Sequence, residues 1–175
     1  MKYLVVSDNH GDRDVLVDLK ETYKGQVDRM FHCGDSELDP TDSLWQDFIV
    51  VRGNCDYDPA FPNKIVDKTV EDTIFMTHGH LVNVRYGLTT LALQAAEVDA
   101  DIVLFGHTHE IGCEMIEHTL FLNPGSIRLP RGPIQIKSYV IIDSRPDLLD
   151  IQYFGRDHQP IKESCISLIR ENLKF

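Results

Sequence analysis

The sequence predicts an α/β protein in which two β-sheets pack together and helices cover them from outside. Short apolar runs rich in β-branched residues, such as Tyr3–Val6 and Ile102–Phe105, have the length and composition of buried strands. Over the first two thirds of the chain such runs alternate with segments of helical periodicity. From Cys113 onward the pattern turns mostly to closely spaced strands, as in hairpins.

Tyr3–Val6 is bounded by Ser-Asp-Asn-His-Gly and reads as the first strand. Val15, Leu16, Leu19 and Tyr23 then recur at helical spacing, with Asp12 placed to cap the helix and Gly25 to stop it. Further strands are expected at Val27–Cys33 and Phe48–Val51. The alternation in KIVDKTV, then Glu71-Asp72, then TIFMTH, predicts a hairpin. Leu88, Leu91, Ala95 and Val98 form one stripe of a longer amphipathic helix, and DIVLF is another buried strand. The last third reads as strands at CEMIEH, LFLN, IKSYVIID and LDIQYF, with a terminal helix expected over Glu163–Leu173. There is no repeat, linker or low-complexity tract, so a single domain over 1–175 is expected.

The composition narrows the function classes. Apolar residues make up 42% and charged residues 26%, ordinary for a globular protein. Seventeen basic against 28 acidic residues give a net charge of −11, which disfavours sequence-independent binding to nucleic acid or an anionic membrane. A phosphate-bearing substrate stays compatible if cations in the site offset the acids. Cys33, Cys55, Cys113 and Cys165 are widely spaced without a C-x-x-C, the pattern of reduced thiols. Leu4-Val5-Val6 is too short for a signal-peptide core, and no stretch approaches the ~20 apolar residues of a membrane span. A cytoplasmic protein is expected.

The residues just past each strand are more specific. Tyr3–Val6 leads to Asp8 and His10, and the strand ending at Cys33 to Gly34-Asp35. FIVV leads to Gly53-Asn54-Cys55-Asp56, TIFM to His78-Gly79-His80, and DIVLF to Gly106-His107-Thr108-His109. Each strand delivers a metal-competent side chain at its carboxyl end, where α/β sheets bind ligands. Asp8, Asp35 and Asn54 offer oxygen; His10, His78, His107 and His109 offer nitrogen. This mixture suits manganese first, with nickel, zinc, iron or cobalt as alternatives. Seven donors exceed the needs of one ion. They suit two ions sharing a carboxylate, the clamp used for in-line displacement at phosphorus.

D-x-H, G-D, G-N, H-G-H and G-H-T-H, in this order, resemble the calcineurin-like metallophosphoesterases, and among them the small single-domain prokaryotic branch of YfcE-type phosphodiesterases. Asn123–Ser126 (NPGS) also resembles a family segment. The resemblance implies a four-layer α-β-β-α sandwich of two packed mixed sheets, the metallo-dependent phosphatase fold. It implies that Asp8, His10, Asp35 and His109 hold one divalent ion and that Asp35, Asn54, His78 and His107 hold the other, Asp35 bridging. The reaction it implies is hydrolysis of a small phosphate ester, a diester first, by a dimetal-bound hydroxide attacking phosphorus in line.

One position departs from the family. Where many members have a histidine credited with protonating the leaving group, this chain has Cys55, then Asp56. Asn54, to ligate and present phosphate, and Asp56 and His80, as proton sources or phosphate contacts, are the catalytic candidates besides the metals. Arg128 and Arg131 beside NPGS could touch substrate, although solvated loop arginines are the first expectation. The competing expectation is a catalytically weak scaffold or regulator of the same fold, as in a retromer subunit. Such relatives have lost ligands, whereas all seven positions are filled here. A homo-oligomer is compatible with the sequence; stable nucleic-acid or membrane partners are not expected.

Overall fold

The computed structural model of the protein describes residues 1–170. In chain order its elements are β1 (Lys2–Val6), α1 (Arg13–Tyr23), β2 (Arg29–His32), β3 (Phe48–Val50), β4 (Lys64–Lys68), β5 (Thr73–Thr77), α2 (Thr89–Ala96), β6 (Ile102–Leu104), β7 (Ile111–Ile116), β8 (Thr119–Pro124), β9 (Ser138–Ser144), β10 (Leu148–Gly155) and β11 (Pro160–Ile169). They build two mixed sheets, ordered β11-β10-β9-β1-β2-β3 and β4-β5-β6-β8-β7. β1, β2 and β3 run parallel in the first sheet, as do β5, β6 and β8 in the second. Antiparallel strands complete both sheets.

The central strands are continuously apolar because both of their faces are covered. In β1, Tyr3 and Val5 point between the sheets while Leu4 and Val6 point to α1; Ile74 and Met76 of β5 point inward while Phe75 points to α2. The same alternation separates Ile102 and Leu104 from Val103, and Leu120 and Leu122 from Phe121. Val15, Leu16 and Leu19 bury one stripe of α1 against the first sheet, and Leu91 and Ala95 do the same for α2 on the second. The result is the expected four layers.

Helix α1 begins where Asp12 accepts a bond from Val15 N and ends before Gly25 at φ 72°. Helix α2 is shorter than its apolar stripe suggests. Val84–Tyr86 is a separate 3-10 turn before it, and Asp99 at φ 51° turns the chain beyond Ala96.

The terminal helix expected over Glu163–Leu173 is corrected as far as Ile169. That region belongs to β11, antiparallel to β10. Ile166 and Leu168 pack on the inter-sheet core and Ser164 is buried, so the working period is two, not 3.6. Residues 171–173 of that expectation lie outside the described ones.

At the amino-terminal ends of β1 and β5, buried Asp72 joins the two sheets. It accepts from Tyr3 Oη (2.5 Å) and Ser144 Oγ (2.7 Å) and pairs with Arg170. Asp72→Ala should therefore lower unfolding stability by about 3–5 kcal/mol, because a largely buried guanidinium loses its partner. Denaturant titration checks this; a loss within about 0.5 kcal/mol of wild type, as for an ordinary surface substitution, would contradict it.

Candidate metal centre

The loops after β1, β2, β3, β5 and β6 meet at one end of the sandwich, at the carboxyl ends of these parallel strands. Backbone bonds tie them together: Asp8 N to Gly34 O, His10 N to Asp35 O, and Gly106 N to His78 O. Asp8, His10, Asp35, His107 and His109 all adopt positive φ, from 43° to 69°. Non-glycine residues seldom occupy this region, and such strain concentrates where a site over-determines the backbone. Two glycines let the loops close this far. A Cβ on Gly53 would stand 2.0 Å from Asp35 Oδ1, and one on Gly106 2.1 Å from Ser7 Oγ.

Donor atoms of Asp8, His10, Asp35 and His109 lie within 4.8 Å of one another. His109 Nδ1 bonds to Leu129 O (2.8 Å) and His10 Nδ1 to Glu37 Oε1 (2.6 Å). A carbonyl or carboxylate can only accept, so both Nδ1 atoms donate, and in the neutral tautomer each Nε2 offers a lone pair. Those nitrogens face each other at 3.2 Å. Asp8 Oδ1 is buried without a hydrogen-bond donor, although His109 Nε2 stands 3.1 Å away. With both rings neutral, three lone pairs meet at one point, which is costly unless a cation lies among them. These residues fit a divalent metal, with the outer hydrogen bonds that fix ligand imidazoles.

In the second set only His78 repeats this pattern. His78 Nδ1 donates to Cys33 O (2.7 Å), leaving Nε2 facing Asn54 Oδ1 (3.2 Å) and Asp35 Oδ2 (3.4 Å). His107 Nδ1 lies 2.8 Å from the same Asn54 oxygen, while Arg85 donates to its Nε2 (3.1 Å) and backbone carbonyl (3.0 Å). Asp35 belongs to the first cluster and also faces His78, so its carboxylate reaches both sets.

The charges agree with this layout. Burial raises the Asp8 carboxyl, but His109 and His78 outweigh it and hold it below the usual range. Burial likewise opposes ionisation of Asp35, yet His78 and the Cys55 N–H bring it well below that range. Burial pulls His107 down, with help from His78 and Arg85, to about 4. For His78, burial lowers proton affinity, but Asp35 and Asp8 raise it above that of an ordinary histidine. A metal entering the second set must therefore displace a proton from His78. Metal binding should release protons, and affinity should fall by up to about tenfold per pH unit for each proton released once the pH drops below the raised His78 value. Calorimetry in buffers of different ionisation heat measures this; buffer-independent heats at pH 6 would contradict it.

The remaining candidates separate by geometry. Asp56 is buried, and its oxygens accept from Ser36 Oγ, Glu37 N and Gly53 N. It fastens the Asp35 loop to the Asn54 loop. His80 is half-buried beside His78 and His107, with ring centroids 5.4 and 6.1 Å away, and its Nδ1 lacks a partner. Burial and then His78 lower its proton affinity. Burial, then Asp35, pushes the Cys55 thiol up to about 12, which removes it as a nucleophile. Arg128 bonds to His10 O through its side chain and Arg131 N to His109 O through its backbone, so both brace ligand loops. NPGS does the same: Ser126 Oγ donates to Asp8 O and Asn123 Nδ2 to Gly106 O.

Sequence reasoning missed Glu37 and Arg85. Glu37 lies two residues past Asp35 in the same loop, but nothing local pairs it with His10, 27 positions away. Arg85 lies on a separate turn, and nothing in its neighbourhood announces its contact with His107.

The Calcineurin-like phosphoesterase superfamily domain profile matches residues 1–147. The chain is 34% identical over 163 residues to "Probable metallophosphoesterase YsnB" of Bacillus subtilis (strain 168), covering 93% of this chain and 96% of that one. A crystal structure of a conserved protein from Streptococcus pneumoniae TIGR4, described as a predicted phosphoesterase, superposes with a TM-score of 0.94 at 35% identity, covering 97% of both chains. A single mutant of Vps29 from Entamoeba histolytica reaches a TM-score of 0.75 at 22% identity, covering 98% of this chain and 100% of that one, and shares the fold.

Proposed function

The chain belongs to the calcineurin-like phosphoesterase superfamily, and on that basis we propose that it is a hydrolase of small phosphate esters, with diesters as the preferred class, working with two divalent metal ions. The observation that carries this reading is the convergence of the inner ring nitrogens of His10 and His109 on a buried Asp8 oxygen that has no hydrogen-bond partner. Manganese is the expected ion, with nickel, zinc, iron or cobalt as alternatives. Asp8, His10, Asp35 and His109 would hold one ion, and Asp35, Asn54, His78 and His107 the other. Bound metals would supply Lewis acidity toward phosphoryl oxygens and a water ionised near neutral pH.

The protein's own groups do the rest. Glu37, Leu129 O and Cys33 O fix the ring protons of His10, His109 and His78 on the outer nitrogens. Asn54 presents its amide oxygen between His78 and His107, and Asp56 holds the loop that carries it. Among the described residues no helix is long and apolar enough to cross a membrane. A cytoplasmic setting is part of the proposal.

The scaffold reading draws on the Vps29 likeness, which concerns the fold alone. A filled set of ligand positions favours turnover. Stripping metal, adding back manganese, nickel or zinc, and assaying phosphomonoesters, diesters and cyclic nucleotides tests the proposal. Diester hydrolysis that appears only on reloading is expected. Metal binding without hydrolysis of any ester would favour the scaffold.

A further inference from the structure

A second donor cluster lies beside the first. One ring nitrogen of His10, one carboxylate oxygen of Glu37 and Cys55 Sγ stand within 4.8 Å of one another. We propose that His10, Glu37 and Cys55 form an additional site for a thiophilic divalent cation, such as zinc or cobalt, which competes with the hydrolytic centre for His10. Donors around a tetrahedral ion at about 2.0–2.3 Å stand roughly 3.3–3.8 Å apart, so the cluster closes with movements of about 1 Å.

Three loops deliver these donors, and each is held. Glu37 sits at φ 53° with its N–H on Asp56, and its carboxylate already meets His10 Nδ1 at 2.6 Å. That shared proton occupies a place a cation can take. The Cys55 N–H bonds to Asp35, and Asn54 Nδ2 donates to Cys55 Sγ (3.3 Å). The Glu37 side chain is 41% exposed and Cys55 is partly exposed, which gives an ion a way in. The carboxylates of Asp35 and Glu37 stand beside Cys55, a negative field that favours a dication, and the thiol proton leaves to solvent as the ion binds. The thiolate sets selectivity: the hydrolytic sets offer nitrogen and oxygen only, whereas sulfur prefers softer ions.

Because His10 is shared, occupation here withdraws a ligand from the Asp8, His10, Asp35 and His109 set. Zinc should then inhibit a manganese-loaded enzyme, and Cys55→Ser should raise the half-inhibitory zinc concentration by about tenfold or more. That readout rests on the phosphoesterase reading; the decisive one does not. Cobalt(II) titrated into metal-stripped protein without substrate should give the near-ultraviolet charge-transfer band of a thiolate ligand. The band should vanish in Cys55→Ser, weaken in Glu37→Gln and persist in Cys113→Ser. A wild type with no band, or a band that survives Cys55→Ser, would overturn the site whatever the activity assays return.

Discussion

Asp35→Asn should lower phosphoesterase activity more than any other single ligand replacement, by roughly a thousandfold or more. Bound metals supply several kcal/mol of transition-state stabilisation, and each ~1.4 kcal/mol is a factor of ten. Asp35 is the carboxylate that reaches both donor sets, clustering with Asp8, His10 and His109 while facing His78 Nε2. Its loss would weaken both ions and remove charge that offsets two dications. The asparagine is nearly isosteric, and its amide oxygen can keep the bond from Cys55 N–H, so the loops should stay assembled. His107→Ala and His109→Ala should each empty mainly one site. Metal analysis beside the kinetics separates these cases, and wild-type metal content in Asp35→Asn would contradict the bridging role.

The second large effect concerns the leaving group. A positioned general acid contributes about 10²–10⁴-fold, and none of the groups near position 55 is suited to be one. The Cys55 thiol is pushed up to about 12, and Asp56 is engaged by Ser36, Glu37 and Gly53. His80 holds a proton less readily than an ordinary histidine. The departing oxygen should carry most of the developing charge, so kcat/KM should fall steeply across aryl diesters as leaving-group pKa rises. Cys55→His should flatten that slope. A flat dependence in the wild type would mean that a donor is present, with His80 the first residue to replace.

Much of this architecture is legible in the sequence because the central strands are buried on both faces. A run such as Ile102–Phe105 can be read without tertiary context, and the ligands sit where such runs stop. The β11 segment failed for the opposite reason. It is an edge strand whose period-two pattern is interrupted by residues that also suit a helix, and only pairing with β10 settles its conformation. At the site, ligand types and order could be read, but second contacts could not. Glu37 on His10, Leu129 O on His109 and Arg85 on His107 join residues 27, 20 and 22 positions apart. No local pattern encodes such meetings. Asp56 teaches the same lesson: the sequence offers a carboxylate beside the site, and only the three hydrogen bonds it accepts reveal a brace.

The most direct test is a manganese titration of metal-stripped protein, reading bound metal and diester hydrolysis in the same samples. A dinuclear hydrolase requires activity to lag the first ion, rise with the second and level off at two ions per chain. Full hydrolysis at one ion per chain, or in excess chelator, would contradict it.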